Sequence, residues 1–414
     1  MKANLKSLIL KYIYSHEDGW LHALLMFKCA FDEWIFGNRV HLLSKRTKKQ
    51  KSVVATAFWG NQFGDNPRFI VEKLHELTPD TDIVWVRSKG SDNCFPPYVR
   101  TIDFENKKAL IRELARASII IDNNKCFNNI VIQPDQLHIQ TWHGGLGFKK
   151  IGFEAVTNKY KRVGCSDDSY DFFISNSDHI TKTYRTAFKY QGPVWKCGYP
   201  VDDALLTDEN ERRLCHEQYN IPDDTHILLY GPTFRTPYKW LCQFRVDRVL
   251  EAFQKRFGGK WVMLVHWHPY VAQEDRVLPG AIDATDTKDM QRLIKAADAF
   301  ISDYSSCIFQ SACRNIPCFV YADDYEDYRQ KRGLYYSLDE QPFPYALSEE
   351  KLVDNIISYD RAEWEKIWKR YAEQMGFVMT GHSAEDIARV CADFLDGKPK
   401  GKIMAELPFD EKEV

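Results

Sequence analysis

Short apolar runs alternate with amphipathic stretches along most of this chain. In the first half, apolar runs predict buried strands at residues 53–58, 82–87, 118–122, 138–141 and 171–175. Between them, apolar residues recur every three or four positions, which predicts helices at residues 66–77 and 105–117. Asn66 is the expected N-cap of the first helix, with Pro67 at its first helical position. Strands that alternate with helices indicate a parallel sheet built from βαβ units.

The second half repeats this alternation. Its expected strands lie at residues 226–230, 261–266, 299–302 and 318–321. Its expected helices lie at residues 246–257, 288–296, 305–314, 349–358, 362–374 and 383–395. A turn signal at Gly198-Tyr199-Pro200 separates the two halves. The pattern therefore predicts an N-terminal helical segment, two α/β domains and a C-terminal helix end with a polar, frayed tail, at residues 1–50, 51–200, 201–385 and 386–414. The last helix is expected to cross back to the first domain.

Two segments place polar groups directly after apolar runs. QTWHGGLGFKKIG (residues 140–152) follows the fourth run of the first half, and ADAFISDYSS (residues 297–306) contains the third run of the second half. Ligands of open α/β sheets bind at the carboxyl ends of the strands. The two segments therefore predict two α/β domains that face one cleft.

Composition narrows the class of protein. A length of 414 residues suits two domains, and contents of 44% hydrophobic and 28% charged residues indicate a globular chain. A net charge of −2 argues against a general nucleic-acid binder. The eleven cysteines include no Cys-x-x-Cys pair, which favours reduced thiols in a cytosolic protein over a disulfide framework.

The N-terminal segment allows two interpretations. Residues 5–36 are rich in Leu, Ile, Trp and Phe, yet no apolar run is long enough to cross a bilayer as a helix. A basic run follows it, formed by Lys45, Arg46, Lys48, Lys49 and Lys51. The segment is either an interfacial membrane anchor or a helical pair packed on the first domain.

His143 is the first candidate for chemistry. It comes directly after a predicted strand and precedes Gly144 and Gly145, which allow a backbone to approach a ligand closely. A histidine here could act as a general base, since its pKa lies near working pH. The alternative is a structural histidine held by local hydrogen bonds. Lys149 and Lys150 follow closely and could attract a phosphate.

The second domain supplies a matching set of candidates. His268 ends the strand predicted at residues 261–266, where it would face the cleft. Asp303 closes another strand, and Ser305 or Ser306 is the expected N-cap of the next helix. A helix start with hydroxyl donors suits a diphosphate, although plain capping is the alternative. Exposed charge is usually only solvated, but three further residues could add phosphate contacts: Thr233, Arg235 and Arg332.

Several common motifs are absent. The chain contains no Walker A motif and no G-x-G-x-x-G. It also lacks G-x-S-x-G, and the absence of that motif argues against a serine hydrolase. His266 and His268 alone do not make a zinc site, because no acidic or cysteine ligand lies nearby in sequence. We therefore expect no metal and no cofactor.

An ordered set of motifs resembles the CDP-glycerol:glycerophosphate glycerophosphotransferases, the teichoic acid primases and polymerases of bacteria. The matching motifs span roughly residues 50–395. They are QTWHGGLGFKKIG (140–152), GYPVDD (198–203), GPTFR (231–235), the HP pair at 268–269, DMQRLIKAADAFISDYSSCIF (289–309) and further residues to Gly333.

The resemblance implies a GT-B fold, with two Rossmann-like domains and the nucleotide bound mainly by the second. It implies transfer of glycerol phosphate from CDP-glycerol to a hydroxyl of a polymeric or lipid-linked acceptor, of the teichoic acid or capsule type, with release of CMP. By resemblance, His143 is the general base and His268 engages the donor's phosphates. The diphosphate-binding segment includes Ser305 and Ser306. The implied location is the cytoplasm, on the inner face of the plasma membrane, with no nucleic-acid partner.

Two departures from the family pattern leave alternatives open. Gly145-Leu146-Gly147 replaces the usual small residue after the WHG motif, and Gln310 stands where an acidic residue is expected. The first of these departures concerns the acceptor side of the pocket. The alternatives are a related transferase that uses CDP-ribitol or a nucleotide sugar, and an inactive binding homologue.

Overall fold

The computed structural model describes residues 20–91, 94–127, 129–155, 169–207, 210–235, 244–268, 271 and 273–410. Within these ranges the chain forms two β-sheets, one in each half of the sequence. All strand pairings in both sheets are parallel. The predicted α/β class with two sheet-containing domains is therefore confirmed.

The first domain contains a seven-stranded sheet. Its strands are β1 Gln50–Thr56, β2 Asp82–Arg87, β3 Val99–Asp103, β4 Ala117–Asp122, β5 Leu137–Gln140, β6 Phe172–Ile174 and β7 Val194–Trp195. Their spatial order is β3-β2-β1-β4-β5-β6-β7. The helices of this half are α1 Trp20–Ser44, α2 Asp65–Leu77, α3 Lys107–Arg116, α4 Asp178–Ala187 and α5 Pro200–Asp203.

The second domain contains a six-stranded sheet. Its strands are β8 Thr225–Gly231, β9 Lys260–Val265, β10 Ala281–Asp283, β11 Ala299–Ser302, β12 Cys318–Tyr321 and β13 Tyr345–Ala346. Their spatial order is β10-β9-β8-β11-β12-β13. The remaining helices are α6 Glu211–Tyr219, α7 Val246–Phe257, α8 Met290–Ala296, α9 Cys307–Cys313, α10 Tyr325–Arg332, α11 Glu349–Ile357, α12 Arg361–Gln374, α13 Ser383–Leu395 and α14 Lys400–Glu406.

Burial on both faces explains why apolar runs become the central strands. Successive residues of a strand point to opposite faces, and both faces of β1 are covered. Val53 packs in the cluster on the α2 side of the sheet, whereas Val54 packs in the cluster on the α3 side. Both side chains are fully buried. The sheets are therefore held by helices on each face, which leaves the strand ends as the sites for ligands.

The end of the chain packs on the first domain, not on the second. Ile387, Ala388 and Cys391 of α13 lie in the core cluster that contains Val53, so the last long helix crosses back as expected. The prediction of a frayed tail is wrong for residues 398–410. The Lys400 ammonium donates to Asp171 at 2.8 Å, and Ile403 of α14 is buried. Residues 411–414 lie outside the described residues.

Other differences from the sequence predictions have local causes. Asn66 is not an N-cap, because α2 begins at Asp65 after Gly64 and no side chain caps it. Four strands were missed: β3, β7, β10 and β13. All but β3 are only two or three residues long, and such segments produce no recognisable apolar run.

The N-terminal helix α1 packs on the first domain through its second half. Val40 is buried in the cluster on the α3 side of the sheet, and Phe36 packs against the same cluster. None of the helices in the described ranges combines the length and apolar character needed to cross a bilayer.

Candidate active site

The loop that follows β5 carries His143, and the side chains of Asn66 and Gln140 hold the residue before it, Trp142. The amide of Asn66 donates to the carbonyl oxygen of Trp142 at 3.1 Å, and its Oδ1 accepts from the N–H of Val201 at 3.0 Å. The side chain of Gln140 accepts from the N–H of Trp142 at 2.9 Å. The role of Asn66 is thus to bind the strand end that presents His143, which explains why it does not cap its own helix.

The tautomer of His143 follows from its partner. Nδ1 lies 2.7 Å from the carbonyl oxygen of Asn123. A carbonyl only accepts hydrogen bonds, so Nδ1 carries the proton and Nε2 keeps its lone pair. The ring packs against the edge of Phe58 at 5.1 Å and against Trp142 at 4.2 Å. Burial lowers the pKa of His143 to about 4; the hydrogen bond to Asn123 acts in the opposite direction, and the charges of Lys125 and Lys149 lower the pKa as well. The imidazole is therefore neutral at pH 7 and ready to accept a proton.

Strained backbone surrounds this histidine. Four non-glycine residues near it have positive φ angles: Phe58 (49°), Trp59 (58°), Lys125 (52°) and Trp142 (52°). Bulky residues rarely occupy this region, and each such conformation costs about 1–3 kcal/mol. The ammonium of Lys125 makes a cation–π contact with Phe188, 3.9 Å from the centre of the ring, and this contact holds the side chain in place. Concentrated strain of this kind is typical of a functional site.

The segment after His143 joins the two domains. A Cβ on Gly145 would lie 2.3 Å from Nδ2 of Asn176, so only glycine fits there. Three residues further on, Phe148 is fully buried in the core of the second domain, where its ring lies 5.3 Å from that of Phe309. Its carbonyl oxygen accepts from the N–H of Tyr335 at 2.9 Å. The motif is therefore divided: His143 belongs to the first domain, Leu146 and Phe148 pack in the core of the second, and Ile151 packs on the first domain again.

Three loops of the second domain meet at Arg235. They follow β8, β11 and β12, which are neighbours in the sheet. The guanidinium donates to Asp303 at 2.8 Å, to both oxygens of Asp324 at 2.5 and 3.0 Å, and to the carbonyl oxygen of Thr233 at 2.6 Å. It also lies 5.2 Å and 4.8 Å from the ring centres of Tyr304 and Tyr328.

This network assigns Arg235 and Asp303 a mainly structural task. The carboxylate of Asp303 also accepts from the backbone N–H groups of Thr233 and Tyr304. Four guanidinium hydrogen bonds are used inside the protein, so a direct phosphate contact by Arg235 stays a prediction. The hydroxyl of Thr233 is buried without a partner among the described residues. An unpaired hydroxyl costs free energy, so a ligand that reaches it would be stabilised.

Of the two serines expected to cap α9, only Ser305 has a side chain that accepts a hydrogen bond from the start of the helix. Ser306 lies at the N-cap position of α9, but it has helical backbone angles and its side chain forms no capping hydrogen bond. The hydroxyl of Ser305 accepts from the N–H of Cys307 at 3.4 Å instead. Ser306 lies next to the His143 loop, because a Cβ on Gly147 would be 3.7 Å from its Cβ. The serine loop and the histidine loop therefore line the same junction.

His268 follows β9 in the second domain. Its ring packs on Phe234 at 4.4 Å. Burial lowers the pKa of His268 to about 4, with a further contribution from Lys149. His266 does not pair with it, since its Nε2 lies 3.2 Å from the carbonyl oxygen of Thr287. Within the described residues, no group of three or more potential metal ligands is found.

Lys149 connects the two histidines. Its ammonium lowers the pKa of both His143 and His268, so both rings lie within its electrostatic reach. Arg332 also lies close to this ammonium and disfavours its charge. Two neutral imidazoles, from different domains, thus lie within the electrostatic reach of one lysine.

The structure explains why glutamine, and not an acidic residue, stands at position 310. Its amide donates to Asp202 at 3.0 Å, and the other oxygen of Asp202 accepts from Asn176 at 2.8 Å. Burial raises the pKa of Asp202 to about 6. An acidic residue at 310 would face this carboxylate directly, whereas glutamine donates to it and links α9 to the first domain.

Sequence reasoning missed the residues that hold the site. Asn66, Asn123 and Asp324 act only through contacts with residues far away in the chain. One signal was available: Asn123 follows β4 directly, at the same sheet edge as the His143 loop.

Comparison with known proteins agrees with this geometry. A teichoic acid poly(glycerol phosphate) polymerase of Bacillus subtilis strain 168 is 27% identical over 368 residues, covering 84% of this chain and 49% of that protein. A teichoic acid glycerol-phosphate transferase of Staphylococcus aureus NCTC 8325 is 28% identical over 354 residues, covering 80% and 89%. A teichoic acid ribitol-phosphate primase of Bacillus spizizenii W23 is 25% identical over 381 residues, covering 87% and 96%. The chain spans about half the length of the polymerases it matches from B. subtilis and Staphylococcus epidermidis.

A solved structure of the wall teichoic acid polymerase TagF has the same fold. It superposes with a TM-score of 0.74 at 23% identity, covering 87% of this chain and 94% of that one. The predicted GT-B arrangement of two Rossmann-like domains is thereby confirmed. The family model for CDP-glycerol:poly(glycerophosphate) glycerophosphotransferases matches residues 38–391. This chain belongs to that family.

Proposed function

We propose that this protein transfers glycerol phosphate from CDP-glycerol to an acceptor hydroxyl of a teichoic acid-type polymer or its lipid-linked precursor, and releases CMP. One observation carries the proposal: His143 of the first domain and His268 of the second are both neutral at pH 7, and both feel the charge of Lys149. Family membership supplies the substrate class. The intact pair of histidines argues against an inactive binding homologue.

The reaction needs a base on one side and charge neutralisation on the other. The acceptor oxygen attacks the phosphorus of the glycerol phosphate group, and its proton passes to Nε2 of His143. The bond between that phosphorus and the bridging oxygen breaks, and CMP takes the electron pair. His268, neutral at pH 7, donates an N–H to the phosphate oxygens, where charge builds up.

Donor competition tests the proposal. Purified protein is incubated with a lipid-linked acceptor and CDP-glycerol, CDP-ribitol or a UDP-sugar, and nucleotide release and product mass are measured. We expect CMP and a product heavier by one or more glycerol phosphate units. Turnover of a UDP-sugar without turnover of CDP-glycerol would overturn the proposal.

CDP-ribitol is the second candidate donor. The likeness to a ribitol-phosphate primase over almost its full length favours it. Faster CMP release from CDP-ribitol than from CDP-glycerol would assign the protein to that donor. The mass of the product also separates a single addition from polymerisation.

Replacing His268 by alanine tests the donor side. We expect kcat/KM for CDP-glycerol to fall about 10- to 100-fold, the effect of losing one hydrogen bond to a charged group. The matched control is His266→Gln, because His266 lies two residues away and its ring bonds to Thr287. Steady-state CMP release measures both variants. Equal kcat/KM for H268A and wild type would remove His268 from the reaction.

Charge neutralisation in this scheme comes from side chains, so we propose that turnover needs no added metal ion. Dialysis against EDTA is expected to leave the rate of CMP release unchanged. A rate that falls after dialysis and returns with Mg²⁺ or Mn²⁺ would assign part of the neutralisation to a cation.

We further propose that α1 lies on the inner surface of the plasma membrane. Four of its side chains form one exposed stripe at helical spacing: Leu24 (55% exposed), Phe27 (70%), Phe31 (50%) and Trp34 (62%). Three exposed cations follow the stripe, Lys45, Arg46 and Lys48, and would attract an anionic bilayer. The other two basic residues are engaged inside the fold: Lys49 bonds Ser44 and Ala115, and Lys51 pairs with Asp80 and Asp396.

Vesicle co-sedimentation tests this surface. The double variant Phe27→Ser, Trp34→Ser should lose binding to phosphatidylglycerol vesicles while its CMP release with a soluble acceptor persists. Val277→Ser is the control, since Val277 is an equally exposed apolar residue of the second domain. Binding that survives the double substitution would show that another surface makes the contact.

A further inference from the structure

We propose that Lys149 is a catalytic residue whose ammonium binds the phosphoryl group under transfer, between the acceptor base and the leaving CMP. The inference rests on the proposed function and assigns a third catalytic side chain to that reaction. It follows from the anchored backbone of Lys149, from the absence of a partner for its ammonium among the described residues, and from the groups around it.

The backbone of Lys149 is fixed to the second domain. Lys149 and Leu334 form an antiparallel bridge. On either side of it, the N–H of Lys150 donates to Gly333 at 3.1 Å, and the N–H of Tyr335 donates to Phe148 at 2.9 Å. Because Phe148 is anchored in the core, Lys149 keeps its place relative to the donor-binding loops.

Among the described residues, the ammonium of Lys149 has no anionic partner of its own. It forms neither a hydrogen bond nor an ion pair within those ranges, although the side chain is only partly exposed and burial disfavours its charge. Asp303, the carboxylate that favours the charge of Lys149, is already bonded to Arg235 and to two backbone N–H groups. A desolvated cation without a partner costs free energy, and an anionic ligand would offset that cost.

The groups around Lys149 belong to both halves of the site. Those that affect its charge, or are affected by it, are Asp303, Arg332, Arg235, Cys307, His143 and His268. Since both imidazoles are neutral, the ammonium is the cation that the two histidines share. If His143 takes the acceptor proton and His268 contacts the donor, the phosphoryl group under transfer comes within reach of the same ammonium.

No proton is transferred by Lys149 in this step. The new bond forms between the acceptor oxygen and phosphorus, the bond to the bridging oxygen of CMP breaks, and His143 holds the proton. The ammonium donates hydrogen bonds to the non-bridging oxygens as they gain charge. The interaction is therefore stronger in the transition state than in the bound substrate, and its loss should lower kcat more than it raises KM.

The charge of Lys149 predicts a distinctive pH profile. Burial lowers the pKa of Lys149 to about 8. The ammonium is present below that pH and is lost above it, so wild-type kcat/KM should fall as pH rises through about 8. An arginine at 149 stays charged throughout this range, and the alkaline fall should disappear.

Three variants decide the proposal: K149Q, K149R and K150Q. We expect K149Q to lose about 100-fold in kcat, K149R to retain measurable activity without the alkaline fall, and K150Q to match wild type. Both lysines were candidates for attracting a phosphate, but Lys149 and not Lys150 is among the groups that affect the two histidines, so the adjacent Lys150 is the matched control. Thermal unfolding of each variant is the check that all three proteins are folded.

A binding measurement separates this inference from the proposed function. Isothermal titration with CDP, a diphosphate that does not react, should show about 10-fold weaker binding to K149Q than to K150Q. Equal CDP affinity together with wild-type kcat in K149Q would overturn the role of Lys149 while leaving the glycerophosphotransferase standing. An alkaline fall that persists in K149R would overturn it as well. If wild type does not turn over CDP-glycerol, the proposed function fails, and the CDP arm still decides whether Lys149 binds a diphosphate.

Discussion

Replacing His143 by alanine is expected to lower kcat for glycerol phosphate transfer by about 10²- to 10⁴-fold, the usual contribution of a positioned general base. The structure supports this size of effect. Asn123 holds the proton on Nδ1, so Nε2 is always presented as the acceptor, and the ring is fixed between Phe58 and Trp142. KM for the donor should change little if, as proposed, the donor is bound mainly by the second domain.

The pH dependence of the wild type gives the sign of this effect. The pKa of His143 is about 4, and a base works only when unprotonated. The acid limb of kcat/KM should therefore lie near pH 4, with activity lost as pH falls through that value and constant from there to neutrality.

His179→Gln is the matched control for His143. Burial also lowers the pKa of His179 to about 4, but its Nδ1 lies 3.2 Å from the hydroxyl of Tyr336, outside the site. This variant should keep wild-type kcat. A folded H143A enzyme with wild-type kcat would rule out His143 as the base.

Replacing Arg235 by methionine is expected to destabilise the second domain by about 3–5 kcal/mol, because it leaves buried carboxylates without their cation. Asp303 and Asp324 are both close to fully buried, with side chains 3% and 13% exposed. Burial of the Arg235 guanidinium would by itself lower its pKa, but these two carboxylates outweigh that effect and raise it. For a domain of this size the melting temperature should drop by roughly 6–20 °C.

Thermal unfolding measures the effect, with Arg245→Gln as control. Arg245 also pairs with an aspartate, Asp247, but both side chains are more than half exposed, so its loss should leave the melting temperature unchanged. R235M should also bind CDP more weakly, since the loops after β8, β11 and β12 lose their common anchor. A melting temperature equal to that of wild type would show that the carboxylates are compensated in another way.

The main elements of the fold could be predicted because each produces a local signal. The predicted bounds of β2, β11 and β12 agree with the structure, as do those of α7 and α13. These are long or strongly patterned elements with apolar residues at the expected period. The short strands β7, β10 and β13 exist only because a neighbouring strand supplies hydrogen-bond partners.

The reactive residues of the candidate site could be predicted from the sequence, but the contacts that hold them in place could not. His143, His268 and the serine loop follow strands at the edge where ligands bind. Arg235 was expected to bind phosphate because a basic residue at a strand end suggests it. Its bonds to Asp303 and Asp324 come from segments 68 and 89 residues further along the chain, and no sequence pattern shows such pairing.

The order of strands and helices, the α/β class and the two strand-end motifs could be read from the chain, because periodicity and turn residues act over a few neighbouring positions. Three features could not: the division of the motif at 140–152 between domains, the hold of Asn66 and Asn123 on the base, and the effect of Lys149 on two neutral imidazoles. These features depend on contacts between distant segments and on how far each group is removed from water.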